Sequence, residues 1–263
     1  MIHMLKRFLQ LVVATVLLLF LCVPVSSYAA ETEKDLSVQL TGLYAGIGVS
    51  IFSGQTNYPA TAYGDGTYFI EEDFVQFERE EYRFTETNPA GSFFVGYNYF
   101  WKDILLGIEG DITFTDFNSS HSINTLYDSV PVPFSMTSKV RASWFASIAP
   151  KIGYRYNNSL FFVLGGAAFS HFRYSFSFSD EYGAGHHSAG SKSASRTGWV
   201  VGAGYEHTLE DHWALRFDYR YYRFDDIFNN FKTPLGPDEL HDGFSHSLKF
   251  EANMFRVSVI RKF

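Results

Sequence analysis

Three features of the sequence predict an all-β fold: an eight-stranded antiparallel transmembrane up-and-down β-barrel with four long extracellular loops and short periplasmic turns. Apolar side chains recur at every second position through segments long enough to cross a bilayer as tilted strands. Long and short links alternate between those segments. The chain opens on an export signal and closes on an aromatic residue, Phe263. Lys6 and Arg7 give the signal its basic start, residues 8–25 its apolar stretch, and Ser27-Tyr28-Ala29 a small-x-small cleavage site. Residues 1–29 are therefore expected to be a cleaved signal peptide, residues 30–42 a periplasmic N-terminal segment, and residues 43–263 the barrel domain.

The segments follow in order. The first, residues 43–52, sets Leu43, Ala45, Ile47, Val49 and Ile51 against Tyr44, Gly46, Gly48 and Ser50. The second, 92–100, sets Phe93, Val95, Tyr97 and Tyr99 against Phe94, Gly96 and Asn98. In the third, 104–115, Leu106, Ile108, Ile112 and Phe114 face lipid, with Gly107, Glu109, Asp111 and Thr113 inside. In the fourth, 140–156, Trp144, Ala146, Ile148, Ile152 and Tyr154 face outwards, with Arg141, Ser143, Ser147, Lys151, Gly153 and Arg155 inwards. The fifth, 160–178, is expected to show Phe162, Leu164, Ala168, Phe172, Tyr174 and Phe176 to lipid and Gly165, Ala167, His171 and Arg173 to the interior. The sixth, 196–208, has Trp199, Val201, Ala203 and Tyr205 outside and Gly198, Gly202, Gly204 and Glu206 inside. The seventh, 213–224, has Leu215, Phe217, Tyr219 and Tyr221 outside and Arg216, Asp218 and Arg220 inside. The eighth, 248–263, has Phe255, Val257, Val259 and Phe263 outside and Arg256, Ser258 and Lys262 inside.

Links at 101–103, 157–159 and 209–212 are short, whereas those at 53–91, 116–139, 179–195 and 225–247 are long. Short links belong on the periplasmic side of such barrels, which places both termini there and the long links outside. Tyr99, Phe100, Trp101, Tyr156, Phe161, Trp213 and Phe263 cluster near the short-link ends, where an interfacial girdle should lie.

Composition narrows the alternatives. A secreted β-sandwich also alternates, but it buries its apolar face and has no use for bulky aromatics at so many strand ends. Without Lys6 and Arg7 the chain carries 19 basic against 28 acidic side chains, a net charge of −9, so nucleic acid is excluded as a partner. The single cysteine, Cys22, lies in the signal, and Leu21 before it is too large for a lipid-attachment site.

The stretch Gly198-Trp199-Val200-Val201-Gly202-Ala203-Gly204-Tyr205-Glu206, with Trp213-Ala214-Leu215-Arg216-Phe217-Asp218-Tyr219-Arg220-Tyr221-Tyr222 after it, resembles the sixth and seventh strands of the opacity-like outer membrane protein β-barrel family. Gly96-Tyr97-Asn98, Gly107-Ile108-Glu109-Gly110-Asp111 and Lys151-Ile152-Gly153-Tyr154 are similar to its second to fourth strands. That family includes immunogenic surface antigens and is similar in architecture to the OmpA and OmpX barrels. The resemblance implies a location in the outer membrane of a Gram-negative bacterium and a scaffold role, with Phe263 as an assembly signal read by the outer-membrane assembly machinery.

Nine of the charged residues expected inside make a candidate interior network: Glu109, Asp111, Lys151, Arg155, Glu206, Arg216, Asp218, Arg220 and Arg256. Eight strands leave a bore that side chains can fill, so these charges read as a salt-bridged plug, with an ion pathway as the alternative and a general porin disfavoured. A lipid-modifying enzyme would need a serine, a histidine and a carboxylate together. The candidates, His246 beside Ser247 and His186-His187-Ser188, lie in loop-like surroundings and read as solvated histidines. His186-His187 is no better as a metal site, since neighbours in an extended segment point apart. No catalytic residue, metal or cofactor is assigned. Asn118-Ser119-Ser120 and Asn157-Asn158-Ser159 match the glycan-acceptor pattern, which arises often by chance.

The first long link has its own chemistry. Glu71, Glu72, Asp73, Glu78, Glu80 and Glu81 crowd into it, interleaved with Phe69, Phe74, Phe77, Tyr82 and Phe84. It is expected to extend the strand pair as a hairpin with an irregular tip around residues 63–67. The carboxylates would bind a basic patch on a host or surface protein, hold divalent cations that bridge to lipopolysaccharide phosphates, or simply keep the link soluble. Outer-membrane lipid and lipopolysaccharide are the other expected partners.

Overall fold

The computed structural model describes residues 41–263 apart from 59, 66–67, 80–81, 184, 211 and 237–238. The expected signal peptide, and the part of the expected N-terminal segment before residue 41, lie outside the described residues. The strands are β1 (Gly42–Tyr58), β2 (Ala60–Tyr63), β3 (Tyr82–Trp101), β4 (Ile104–Leu126), β5 (Pro133–Tyr156), β6 (Ser159–Asp180), β7 (His187–Glu210), β8 (Trp213–Leu235) and β9 (Glu239–Lys262), with one helix, α1 (Glu71–Arg79). Eight long strands pair antiparallel in the order β1-β3-β4-β5-β6-β7-β8-β9, and β9 pairs back to β1, so the ring is closed. At the height of the apolar belt closure leaves no open strand edge, which hydrocarbon requires; above it β3 and β4 part beyond Ala90 and Thr115, and β7 and β8 beyond Trp199 and Arg223. The ninth strand, β2, is a short addition on β9, with Ala60 opposite His246 and Tyr63 opposite Gly243.

At one end the ring is trimmed tightly. Lys102 and Asn157 take the left-handed conformation that two-residue hairpin turns need (φ 56° and 53°). Neighbouring turns are tied together: Arg155 N donates to Asp103 O at 2.8 Å, Thr208 N to Asn158 O at 2.8 Å, and Phe263 N to Leu43 O at 2.9 Å. The other end is tall. Strands β4 and β5 stay paired to Leu126 and Pro133, and β6 and β7 to Ser179 and His187. The long links are thus mostly strand, because their alternating Ser, Thr, Asn and aromatic residues satisfy the ladder beyond the apolar belt.

The outward belt follows the period-2 pattern on seven of the eight ring strands; Ile47, Ile108, Ile148, Val201 and Phe255 are all exposed. On β6 the faces are the reverse of the sequence expectation. Phe162, Leu164, Ala168, Phe172, Tyr174 and Phe176 are buried in the bore, while Phe161, Val163, Phe169, His171 and Arg173 face outwards. Both faces of β6 are apolar, and the heavier one fills the lumen. A second correction falls on β5. Its register against β6 shifts between Ala142 and Phe145, and this bulge turns Arg141 and Ser143 outwards. The Ser170 hydroxyl holds the bulge by donating to Trp144 O at 2.8 Å.

Ring packing between paired strands relies on glycine. A Cβ at Gly204 would sit 2.4 Å from the Phe162 ring, and one at Gly46 would sit 2.2 Å from that of Phe94. Both glycines make room for rings from neighbouring strands.

Candidate functional site

The lumen is filled in layers, beginning at the short-turn end. Glu109 and Asp111 come from β4, Lys151 from β5, Glu206 from β7, Arg216, Asp218 and Arg220 from β8, and Arg256 from β9. All are buried. Arg216 reaches Glu109 Oε2 with Nη1 and Glu206 Oε1 with Nη2, each at 2.6 Å. Arg220 donates to Asp111 at 2.7 Å, to Asp218 at 3.0 Å and to Glu109. Arg256 donates to Asp218 at 3.0 Å, its Nη atoms lying 3.6 Å from Glu109 and 3.7 Å from Asp111. Lys151 Nζ lies 3.4 Å from Glu206 and 3.9 Å from Glu109, and donates to the Tyr44 hydroxyl at 3.0 Å.

Four carboxylates thus meet four cations, and the cluster is neutral. Neutral polar groups complete it. Tyr44 donates to Glu109 at 2.6 Å, and the hydroxyls of Ser147 and Thr113 donate to Asp111. Phe94 is sandwiched between Arg216 and Arg256, each guanidinium 4.5 Å from its ring centroid. Sequence alternation pointed to the charges; Tyr44 and Phe94 carried no signal beyond facing inwards. Arg155 stands apart from the other eight, because it pairs with Asp103 in the first short turn at 3.0 Å.

Above the charges the filling changes. Phe52, Phe117, Phe145, Phe172, Tyr222, Phe224 and Phe250 have no exposed surface. Phe145 lies among them, its ring centroid 4.6 Å from Phe52, 5.4 Å from Phe250 and 6.0 Å from Phe172 and Phe224. Each such ring contributes roughly 1.5–3 kcal/mol by leaving water. Higher still, His246 is buried rather than solvated. It meets Thr233 Oγ1 at 2.9 Å and the Tyr174 hydroxyl at 3.2 Å, with Phe176 4.4 Å away. Burial pushes its pKa down to about 3.

The first long link roofs this bore. Phe69 is fully buried, 5.4 Å from Phe244. Asp242 accepts the backbone N–H groups of Asp65 at 2.9 Å and Tyr68 at 2.7 Å. Asp180 accepts both the Tyr68 and Tyr127 hydroxyls and the N–H groups of Tyr182 and His186. Burial, and then the bond to Asp180, raise the Tyr127 pKa, so its hydroxyl stays a donor.

The strand pair extends as expected, as far as Tyr58 opposite Tyr82, and helix α1 is added in the link above it. Glu71, Glu72 and Asp73 occupy its first turn, where negative charge suits the helix dipole. Asp73 is structural: it accepts from Ile70 N at 3.2 Å and Ser129 Oγ at 2.6 Å, while Gln76 bonds Leu126 O and Asp128 N. Glu71 and Glu72 are exposed; Glu78 lies in the helix, and Glu80 and Glu81 fall outside the described residues.

The candidate nucleophile pairs do not form. Ser247 points away from His246 along β9, and Ser188 is buried against Thr233 O while His187 is exposed. Among the described residues no three His, Cys, Asp or Glu side chains converge on a metal-sized site. Recesses lie at the tall rim, one of about 600 Å³ beside Asn124, Ser135, Ser179 and His187. At the other end Phe263 is 68% exposed, and the Arg261 guanidinium lies 5.5 Å from the Trp213 ring and 5.7 Å from that of Phe263.

The family model for the outer membrane protein beta-barrel domain matches residues 15–263. The 31 kDa outer-membrane immunogenic proteins of Brucella melitensis and Brucella suis are 25% identical over 240 residues, covering 90% of this chain and 89% of theirs. Among solved structures, Ail of Yersinia pestis matches with a TM-score of 0.37 at 14% identity, over 85% of this chain and 99% of that one. OprG of Pseudomonas aeruginosa matches at 0.41 and 11%, over 85% and 96%. The outer membrane protease OmpT of Escherichia coli matches at 0.44 and 8%, over 85% and 97%.

Proposed function

We propose that this chain, which belongs to the outer membrane protein beta-barrel domain family, is a closed surface scaffold whose tall rim faces the cell exterior and binds a partner there. The tall end then points outwards, and both termini lie in the periplasm. Its role is adhesion, ligand binding or envelope integrity, and neither transport nor catalysis. One observation carries this reading: the bore is filled from the ionic cluster through the aromatic layer to the roof, so the surface left for function is the outside. The Brucella relatives, named as immunogenic outer-membrane proteins, are in keeping with an exposed rim. Phe263, exposed at the last turn, serves as the signal for the assembly machinery.

The rim offers built tips for recognition. Asp128 and Ser129 are clamped to α1 through Gln76 and Asp73, and the backbone of Tyr182 and His186 is held by Asp180. Rigid tips lose little entropy when they bind. Replacing Asp128, Val130, Glu181 and Tyr182 together with serine leaves those clamps in place. Cells carrying this variant should lose attachment to host cells or matrix proteins while the barrel keeps its heat-modifiable mobility. Unchanged attachment across a panel of host surfaces would contradict the reading.

A further inference from the structure

Where the apolar belt ends on the tall side, arginines appear in two settings. On β8, Arg223 has acids beside it, with Nε 3.0 Å from Asp225 and Nη1 3.6 Å from Glu251. On β5 and β6, Arg141 and Arg173 oppose one another directly in the register, and both are exposed. Like charges placed opposite one another destabilise a sheet. Among the described residues their side-chain partners are neutral: Arg141 Nε donates to Asn118 Oδ1 at 3.1 Å, and Arg173 Nε to Ser193 Oγ at 3.3 Å. Lys139 continues the same face of β5. Asp116, on that face of β4, forms an ion pair with none of these cations among the described residues. This happens in a chain of net charge −7, where carboxylate neighbours are plentiful.

The position is specific as well. The bulge at Ser143 and Trp144 turns Arg141 out of the lumen. Directly below the pair, Trp144 and Phe169 end the hydrocarbon-facing belt. The Nε atoms are already engaged, which leaves the Nη groups of both forks to grip an oxyanion. We propose that Arg141 and Arg173, with Lys139 beside them, bind the phosphate of a phosphorylated lipid headgroup in the outer leaflet. The proposal rests on the orientation argued above, with the tall end outwards. Headgroup height favours a lipid phosphate over a soluble polyanion.

The test uses the full chain in bilayer discs of phosphate-free galactolipid, doped with lipid A bearing both phosphates or with the same lipid after phosphatase treatment. Retained lipid is read by native mass spectrometry. Discs present both faces, so this result is independent of orientation, which protease digestion of the tips on intact cells reports separately. The wild type should retain the phosphorylated lipid selectively. Arg141→Gln with Arg173→Gln should weaken retention by about tenfold or more, since charge-assisted bonds to phosphate are lost. Arg223→Gln should leave retention unchanged. Equal retention by the wild type and the double variant would overturn the site. Displacement of the lipid by a soluble sulfated glycan at equal phosphate and sulfate concentration would overturn the lipid as its ligand.

Discussion

Along the lumen face of β8, Arg216, Asp218 and Arg220 give way to Tyr222 and Phe224, so a single strand crosses from an ionic filling to an aromatic one. Both regions plug the same bore. In the lower one every charge has lost its water, and only partners at fixed distances compensate it. In the upper one the contacts between rings are non-directional, and neighbours can shift to close a gap. The ionic region therefore holds its geometry by mutual necessity, whereas the aromatic region does so by volume.

The sharpest way to break the comparison is to remove one charge. Arg216→Met leaves Glu109 and Glu206 short of a partner and should lower stability by roughly 3–5 kcal/mol in a urea titration in detergent or lipid. Adding Glu206→Gln to that variant should recover part of the loss, and no recovery would mean the ions do not act as a unit. In the aromatic region Phe145→Ala should cost roughly 3–4 kcal/mol by opening a cavity. No second substitution of opposite charge can rescue it, but Ala142→Leu beside it can refill some volume.

Outside the bore the effect depends on depth. Ile148→Arg places a charge against lipid and should cost roughly 2–4 kcal/mol, while Glu72→Arg on exposed α1 should change stability little. Equal effects in the same folding titration would mean that the belt is misplaced. A milder effect comes from His246, well beyond the belt, whose folded pKa lies near 3 against an ordinary value of 6.5. Its unfolded form takes up a proton below pH 6.5 and its folded form does not. Stability should therefore fall as pH drops from 6.5 towards 3, by about 1 kcal/mol over the first full unit. His246→Phe should remove that component from the pH profile.

Legibility in the sequence followed the same division. The ionic residues declared themselves, because at the height of the apolar belt a charge in an alternating strand has only the lumen to go to. The aromatic region hid itself: on β6 both faces are apolar, and the weight of Phe162, Phe172 and Phe176 pointed to lipid when they line the bore. Arg141 and Ser143 were misplaced by one bulge, which a period of two cannot reveal. Helix α1 left a signal in its acidic first turn, Glu71-Glu72-Asp73, that the aromatic alternation around it obscured. Asp180 and Asp242, which hold the roof, lie in the long links and show their role only once their backbone donors are in place.

The central claim is that the two fillings together close the barrel, and single-channel recording in planar bilayers tests it most directly. The wild-type chain, inserted and shown to be folded by its mobility, should give no conductance steps in potassium chloride. Removing bulk from both layers at once, with Arg216→Ala and Phe145→Ala, should produce steps. Stable conductance from the wild type would contradict the account.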